Sequence, residues 1–364
     1  MNTSALPGVV INGKFLSAAP TAVHRVAYEL TRALSEYSHD RNVSIALPPG
    51  GTLTWPAPDL PIKVVGHLNG IAWEQLSLPG ASHGQLLVSF CNMAPFMVRS
   101  GLTMVHDAQV FTTPQSYGRM RSAWARLHIR LAGSAQLGLL TVSEFAKREL
   151  VSLGIAPAER IHVIHNGVDH VLRIPPDHTV LTRLGLTPRR YALALANLQQ
   201  HKNIGLLLQA FARPALSGLT LVLTGRARAA DFAAAGFPLP ANVVFAGYVS
   251  DGEMCSLQTH ALAVCTPSLT EGFGLPPVEG MLLGTPALIA PCGAMPEVCG
   301  EGALQVDPHD PVAWKRALLR LQNEPALWQG LSEAGRSVAA RFTWDAAARK
   351  LIAVIAQVTA GRTL

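Results

Sequence analysis

Charge is scarce in this chain of 364 residues. Only 14% are Asp, Glu, Lys or Arg and 49% are hydrophobic, which excludes a disordered protein and calls for ordered cores. Long apolar runs are also missing: none approaches the roughly 20 residues needed to span a bilayer. The N-terminus lacks the apolar core of a secretory signal. The five cysteines (Cys91, Cys255, Cys265, Cys292, Cys299) form an odd set without C-x-x-C spacing, which argues against structural zinc and for a reducing cytoplasm. No basic run interleaved with aromatics is present, so no nucleic-acid partner is expected. No Asp-x-Asp pair stands ready to hold a divalent metal on a diphosphate. No G-x-G-x-x-G follows the first strand-like run, where a nicotinamide enzyme would place it.

What the chain does have is alternation. Apolar strand-like runs at 9–11, 43–47, 63–65, 86–90, 103–105 and 137–142 are followed by others at 191–196, 220–224, 242–246, 261–266 and 286–290. Helical periodicity falls between many of them, at 21–36, 143–153 and 204–212 for example. Strands alternating with helices build parallel sheets covered on both faces, and two successive series imply two Rossmann-like α/β domains. Prolines, charges and turn residues replace periodicity at 171–187. The expected division is therefore 1–175, 176–343 and a terminal helix in 344–364.

The most informative stretch is S-L-T-E-G-F-G-L-P-P-V-E, residues 268–279. A buried strand precedes it and a helix follows, with Pro276 or Pro277 suited to the first turn. A glycine-rich turn ending in a helix N-terminus offers free N–H groups and a positive dipole end to an anion. Of the two carboxylates, Glu271 in the turn and Glu279 on the helix, Glu279 would repel a phosphate at short range and suits the hydroxyls of a ribose or a sugar instead. The ligand therefore carries both phosphate and polyol. Lys202 lies in a turn after another strand, at the carboxyl edge where open α/β sheets bind ligands.

In the first half, Leu-Thr-Met-Val-His106-Asp107 ends a strand, and T-V-S-E-F-A-K-R-E-L sets Ser143 before a helix, where an N-cap alone would explain it. I-H-V-I-H-N-G-V-D, residues 161–169, is a strand followed by an Asn-Gly turn. The net charge of +6 attracts anions, and the basic stretch 119–130 puts Arg119, Trp124, Arg126 and Arg130 on one broad helical face. Such a face is either plain solvated surface or a grip for an anionic membrane or an acceptor's phosphates.

Together E-G-F-G-L-P-P-V-E, the H-K-N turn, V-H-D, T-V-S-E-F-A-K-R-E-L and I-H-V-I-H-N-G-V-D resemble the retaining glycosyltransferases of family 4, in order and over essentially the whole chain. The segments I-N-G-K-F-L-S-A-A-P-T-A-V-H-R-V-A-Y-E-L and I-A-W-E-Q-L-S-L-P are similar to mannosyltransferases that assemble xanthan-like and acetan-like exopolysaccharides. The resemblance implies a GT-B fold, with two Rossmann-like domains facing a deep cleft and a terminal helix crossing back to the first. It implies metal-independent hexosyl transfer from a nucleotide diphosphate sugar, GDP-mannose, to a glycan or polyprenyl-diphosphate-linked acceptor, by a cytoplasmic enzyme peripheral to the inner membrane.

The roles it assigns fall on matching positions. Glu279 would hold the ribose, while Glu271 and the backbone of Gly272, Phe273 and Gly274 would hold the sugar. Lys202 would neutralise the leaving diphosphate, helped by His201, Asn203, Leu275 and Pro276. His106 would face the transferred sugar. Thr21, Ala22, Arg25, Asp107, Ser143, Arg119 and Arg126 would shape the acceptor side. Two positions depart from the pattern. Alanine at Ala22 replaces an expected glycine and would crowd a close backbone approach, at a cost of about 1 kcal/mol or more if left-handed. His201 stands where arginine is common, and neutral histidine stabilises a diphosphate less. A GT-B-like nucleotide-sugar epimerase or hydrolase and a catalytically impaired sugar-nucleotide-binding protein stay open as alternatives.

Overall fold

The computed structural model describes residues 8–38 and 42–360, the side chain of Arg121 excepted. The chain divides into two units, 1–167 with 343–364, and 168–342. The break falls at Gly167, upstream of the loop-rich window 171–187.

The first unit holds a parallel sheet of β1 (Val9–Asn12), β2 (Val43–Leu47), β3 (Ile62–Val64), β4 (Leu86–Ser89), β5 (Gly101–Met104), β6 (Gly138–Thr141) and β7 (Ile161–Val163). Its strand order is β3-β2-β1-β4-β5-β6-β7. Strands β1, β2, β4, β5 and β6 are buried along their whole length, as expected of sheets covered on both faces. The helix Ala22–Ser35 begins at Thr21, whose hydroxyl accepts from the His24 amide at 3.4 Å, and it buries Val26, Ala27, Leu30, Ala33 and Leu34.

The terminal helix Trp344–Thr359 is capped by Thr343 and buries Trp344, Ala347, Ala348, Leu351, Val354, Ile355 and Val358, an unbroken helical stripe. It packs within the first unit: Tyr37 donates to Asp345, and Arg349 Nε donates to the Tyr37 hydroxyl at 2.8 Å. Gly167 is glycine for a reason visible at this seam. A methyl group there would lie 2.3 Å from the Trp344 amide nitrogen.

The second unit holds β8 (Tyr191–Leu195), β9 (Thr220–Thr224), β10 (Val243–Gly247), β11 (Ala263–Thr266), β12 (Ala287–Ile289) and β13 (Ala303–Gln305), parallel and ordered β10-β9-β8-β11-β12-β13. Its core joins Leu206, Leu207, Phe211, Leu221, Leu223, Leu288 and Trp314. Both units are thus Rossmann-like α/β sheets. Strand β13 has no counterpart in the apolar runs of the sequence. It has three residues at a sheet edge, with only Ala303 buried, so no continuous apolar signal exists to read. Among the described residues no helix is long and apolar enough to cross a membrane.

Replacing Gly167 with alanine should force the terminal helix off its seat, at a cost of about 1–3 kcal/mol. A lowered thermal midpoint and faster proteolysis near residue 343 are the expected readings; unchanged values for both would contradict the seam.

Candidate active site

Each sheet reverses its strand order once, and in open α/β sheets ligands bind outside the carboxyl ends of the strands at that point. In the second unit the reversal lies between β8 and β11. The segment leaving β8 contains the short 3-10 turn Gln200–Lys202, and the one leaving β11 contains Glu271. Lys202 Nζ lies 2.8 Å from Glu271 Oε1 and 2.9 Å from Oε2. The two side chains are 20% and 13% exposed. One ammonium thus shares both oxygens of a carboxylate 69 positions away.

The backbones are fastened separately from the charges. The Leu269 amide donates to the His201 carbonyl at 2.7 Å. Asn203, held left-handed at φ 54°, donates from Nδ2 to the Pro267 and Pro308 carbonyls at 3.1 and 2.9 Å. Left-handed asparagine is tolerated because its short amide finds local partners. The Glu271 carbonyl accepts from the Ala294 amide at 2.9 Å, and Gly293, at φ 64°, packs so closely that a methyl would lie 2.5 Å from the Glu271 nitrogen.

Gly274, at φ 85°, turns the chain into the helix Leu275–Leu282, whose first three residues are Leu275, Pro276 and Pro277. Pro276 and Pro277 have no N–H to leave unsatisfied there. Phe273 is buried and meets Phe342 edge-on at 5.5 Å, anchoring the turn by its ring. One turn into the helix, Glu279 accepts from Gln258 Nε2 at 3.0 Å, and its other oxygen lies 3.3 Å from His170 Nε2. Sequence reasoning missed Gln258 and His170. His170 directly follows the recognised N-G-V-D turn, so the motif's end was the available signal.

His201 does not present a cation to a diphosphate. It is 2% exposed, and burial, reinforced by the Lys202 charge, lowers its imidazole to about 4. What it contributes to the turn is its carbonyl.

In the first unit His106 is buried, with Nε2 donating to the Phe90 carbonyl at 2.7 Å and burial lowering it to about 4. The neutral ring therefore keeps Nδ1 as an acceptor. The His106 amide donates to Asn92 Oδ1 at 2.9 Å, and Asp107 Oδ1 accepts from the Gln109 amide at 2.9 Å. Ser143 is fully buried and caps its helix through the Ala146 amide at 3.0 Å.

Ala22 is the exposed first residue of its helix and has no positive φ, so the expected strain does not arise. Arg25 lies over the Trp55 ring at 4.7 Å. Arg126 does not reach outward: Nε donates to the Val110 carbonyl at 2.6 Å, and its guanidinium, like that of Arg130, lies over Phe111. Arg119 is exposed at the start of its helix. The first unit carries a lysine–glutamate pair of its own, Lys14 with Glu74 at 2.9 Å.

Residues 184–338 match the family described as Glycosyl transferases group 1, and residues 85–172 match Glycosyltransferase Family 4. The O-antigen chain mannosyltransferase B of Escherichia coli is 30% identical over 264 residues, covering 69% of this chain and 68% of that protein. The chain belongs to glycosyltransferase family 4. A second relative in the family, the O-antigen chain mannosyltransferase RfbU of Salmonella typhimurium (strain LT2), is 27% identical over 63% of each chain. The chain thus spans about two thirds of the length of these curated relatives. Among solved structures, sucrose-phosphate synthase from Thermosynechococcus elongatus superimposes with a TM-score of 0.74 at 18% identity, over 97% of this chain and 99% of that one. The fold of this family member is GT-B.

Glycine at 293 is the tightest test of the site's backbone. Gly293→Ala should displace residues 270–271 and destabilise the second unit by about 1–3 kcal/mol, read as a lower unfolding midpoint. Unchanged stability would show the loop to be more compliant than its contacts indicate.

Two of the buried histidines, His106 and His201, give a pH signature. Their folded values near 4 lie below the usual 6.5, so the unfolded chain binds protons first as pH falls. Their stabilising effect is whole above pH 6.5 and is lost as pH drops from 6.5 toward 4. His201→Asn should flatten the fall between pH 6.5 and 5, before ordinary carboxylates titrate; an unaltered slope would remove His201 from the account.

Proposed function

We propose that this protein is a retaining hexosyltransferase that moves mannose from GDP-mannose to a glycan or polyprenyl-diphosphate-linked acceptor in polysaccharide assembly. The observation that carries the reading is the Lys202–Glu271 pair at the strand reversal, in the segments that lead into a helix carrying Glu279 one turn from its start. Lys202 and the helix N-terminus supply the positive charge that a departing nucleoside diphosphate needs, so no metal is required. Glu271 and the backbone of residues 272–274 suit sugar hydroxyls, and Glu279 suits the ribose. Mannose is supported by the names of the O-antigen relatives, and guanine by the sequence resemblance alone.

Because Lys202 is spent on Glu271, a phosphate reaches the ammonium by substituting for the carboxylate. The freed carboxylate then accepts hydroxyls, which couples binding of the two halves of the donor. The leaving phosphate accepts the acceptor's proton on the face it departs from, consistent with retention. A position at the cytoplasmic membrane surface is supported by the helix Arg119–Ala135, which exposes Met120, Trp124 and Leu127 beside Arg119.

Lys202→Ala and Glu271→Ala should each abolish transfer with the fold intact, judged by circular dichroism. Transfer is to be assayed with a panel of nucleotide sugars and a mannose-accepting glycan. Wild-type turnover by either variant, or donor converted to epimerised or free sugar without acceptor, would overturn the assignment.

A further inference from the structure

The two sheets resemble each other at their reversals in more than topology. In the first unit the reversal lies between β1 and β4. The carboxyl ends of these strands are Asn12 and Ser89, bridged by Asn12 Nδ2 and Ser89 Oγ at 3.4 Å. Lys14 lies just past β1. Its amide donates to Asn12 Oδ1 at 3.3 Å, and its ammonium donates to Glu74 Oε2 at 2.9 Å. Asn12 Nδ2 donates to the other carboxylate oxygen at 2.8 Å. A lysine therefore follows the first strand of the reversal in each unit and meets a glutamate there, although Glu74 comes from the connection between β3 and β4 whereas Glu271 follows β11.

Glu74 is held with care. It belongs to a π-helical turn, Trp73–Ser77, a rare geometry that is frequent at functional sites. The turn is pinned on both sides: Trp73 Nε1 donates to the Val65 carbonyl at 2.8 Å, and Gln75 bonds the Ala94 carbonyl and the Phe96 amide at 3.2 and 3.0 Å. Burial, with the Glu74 charge behind it, pushes the neighbouring Cys91 thiol up to about 12, so the cluster offers no nucleophile. What it offers is a fixed cation.

The pair is asymmetric. The Glu74 side chain is 3% exposed and both its oxygens are engaged, whereas the Lys14 side chain is 37% exposed. An ammonium has three donors. Lys14 spends one on Glu74, and no other described residue takes the remaining two. The buried Glu74 carboxylate needs the ammonium as its counter-charge, but that demand takes one donor and leaves the exposed side of the ammonium open to an anion.

We propose that Lys14, positioned by Glu74 and Asn12, is an anion-binding residue that takes a phosphate group of the acceptor. Calling the ligand an acceptor rests on the glycosyltransferase reading above; the anion site rests on the strand-end geometry alone. Binding, not turnover, is therefore the readout.

The full chain carrying Lys202→Ala, which silences the other cation, is titrated calorimetrically with farnesyl diphosphate and with mannose 6-phosphate. At least one should bind. Adding Lys14→Met together with Glu74→Gln, which leaves no buried charge unpaired, should weaken that binding by about tenfold or more. Lys14→Arg in place of that pair should retain it. Preference for farnesyl diphosphate assigns the phosphate to a lipid-linked acceptor, and preference for mannose 6-phosphate to a soluble sugar phosphate. Binding of neither ligand overturns the proposal. So does equal binding by the Lys14→Met/Glu74→Gln chain, including the case where its thermal midpoint alone falls. Absence of glycosyl transfer in the separate donor assay would overturn the enzyme reading and leave these titrations untouched.

Discussion

A parallel sheet opens a crevice at its carboxyl edge where two adjacent strands send their following segments to opposite faces. Each sheet here does so once, between β1 and β4 and between β8 and β11. That single constraint brings chemically matched residues together from distant parts of the chain. It brings Lys202 within 2.8 Å of Glu271, and it sets Lys14 at the end of β1, where Glu74 from the connection between β3 and β4 meets it at 2.9 Å. Packed strands fix the starting points of the loops, so short loops cannot avoid meeting.

The scarcity of charge gives these pairs their weight. In an interior this apolar, a buried charge must be matched or neutralised, and the structure does both. Glu74 and Glu271 are matched by lysines and Glu279 is met by Gln258 and His170, while His106 and His201 lose their charge to burial. Backbone hydrogen bonds carry the positioning around Lys202, through the His201 carbonyl and the Asn203 amide. The loops are therefore held independently of the charged tips.

Legibility followed local signal. Continuous apolar runs marked the buried strands, and Ser143 marked a helix start because an N-cap is a contact between near neighbours. Lys202, Glu271 and Glu279 were legible from their places after strands and in the glycine-rich turn. Strand β13 was not, being short and half solvated at an edge. The strain expected at Ala22 presumed a left-handed residue, and the chain instead begins a helix there. His201 read as a member of a basic turn, but its ring turns inward, which spacing along a turn does not encode.

By itself the sequence determined the α/β class, the existence of two successive sheets and which residue types stand at the strand ends, because each depends on periodicities and turn chemistry a few residues long. Tertiary structure alone decided who meets whom: that one lysine neutralises Glu271 and another Glu74, that His170 and Gln258 flank Glu279, and that Gly167 must be bare to seat Trp344. Those contacts span tens to hundreds of residues, and their partners are chosen by strand order, which leaves no local trace in the sequence.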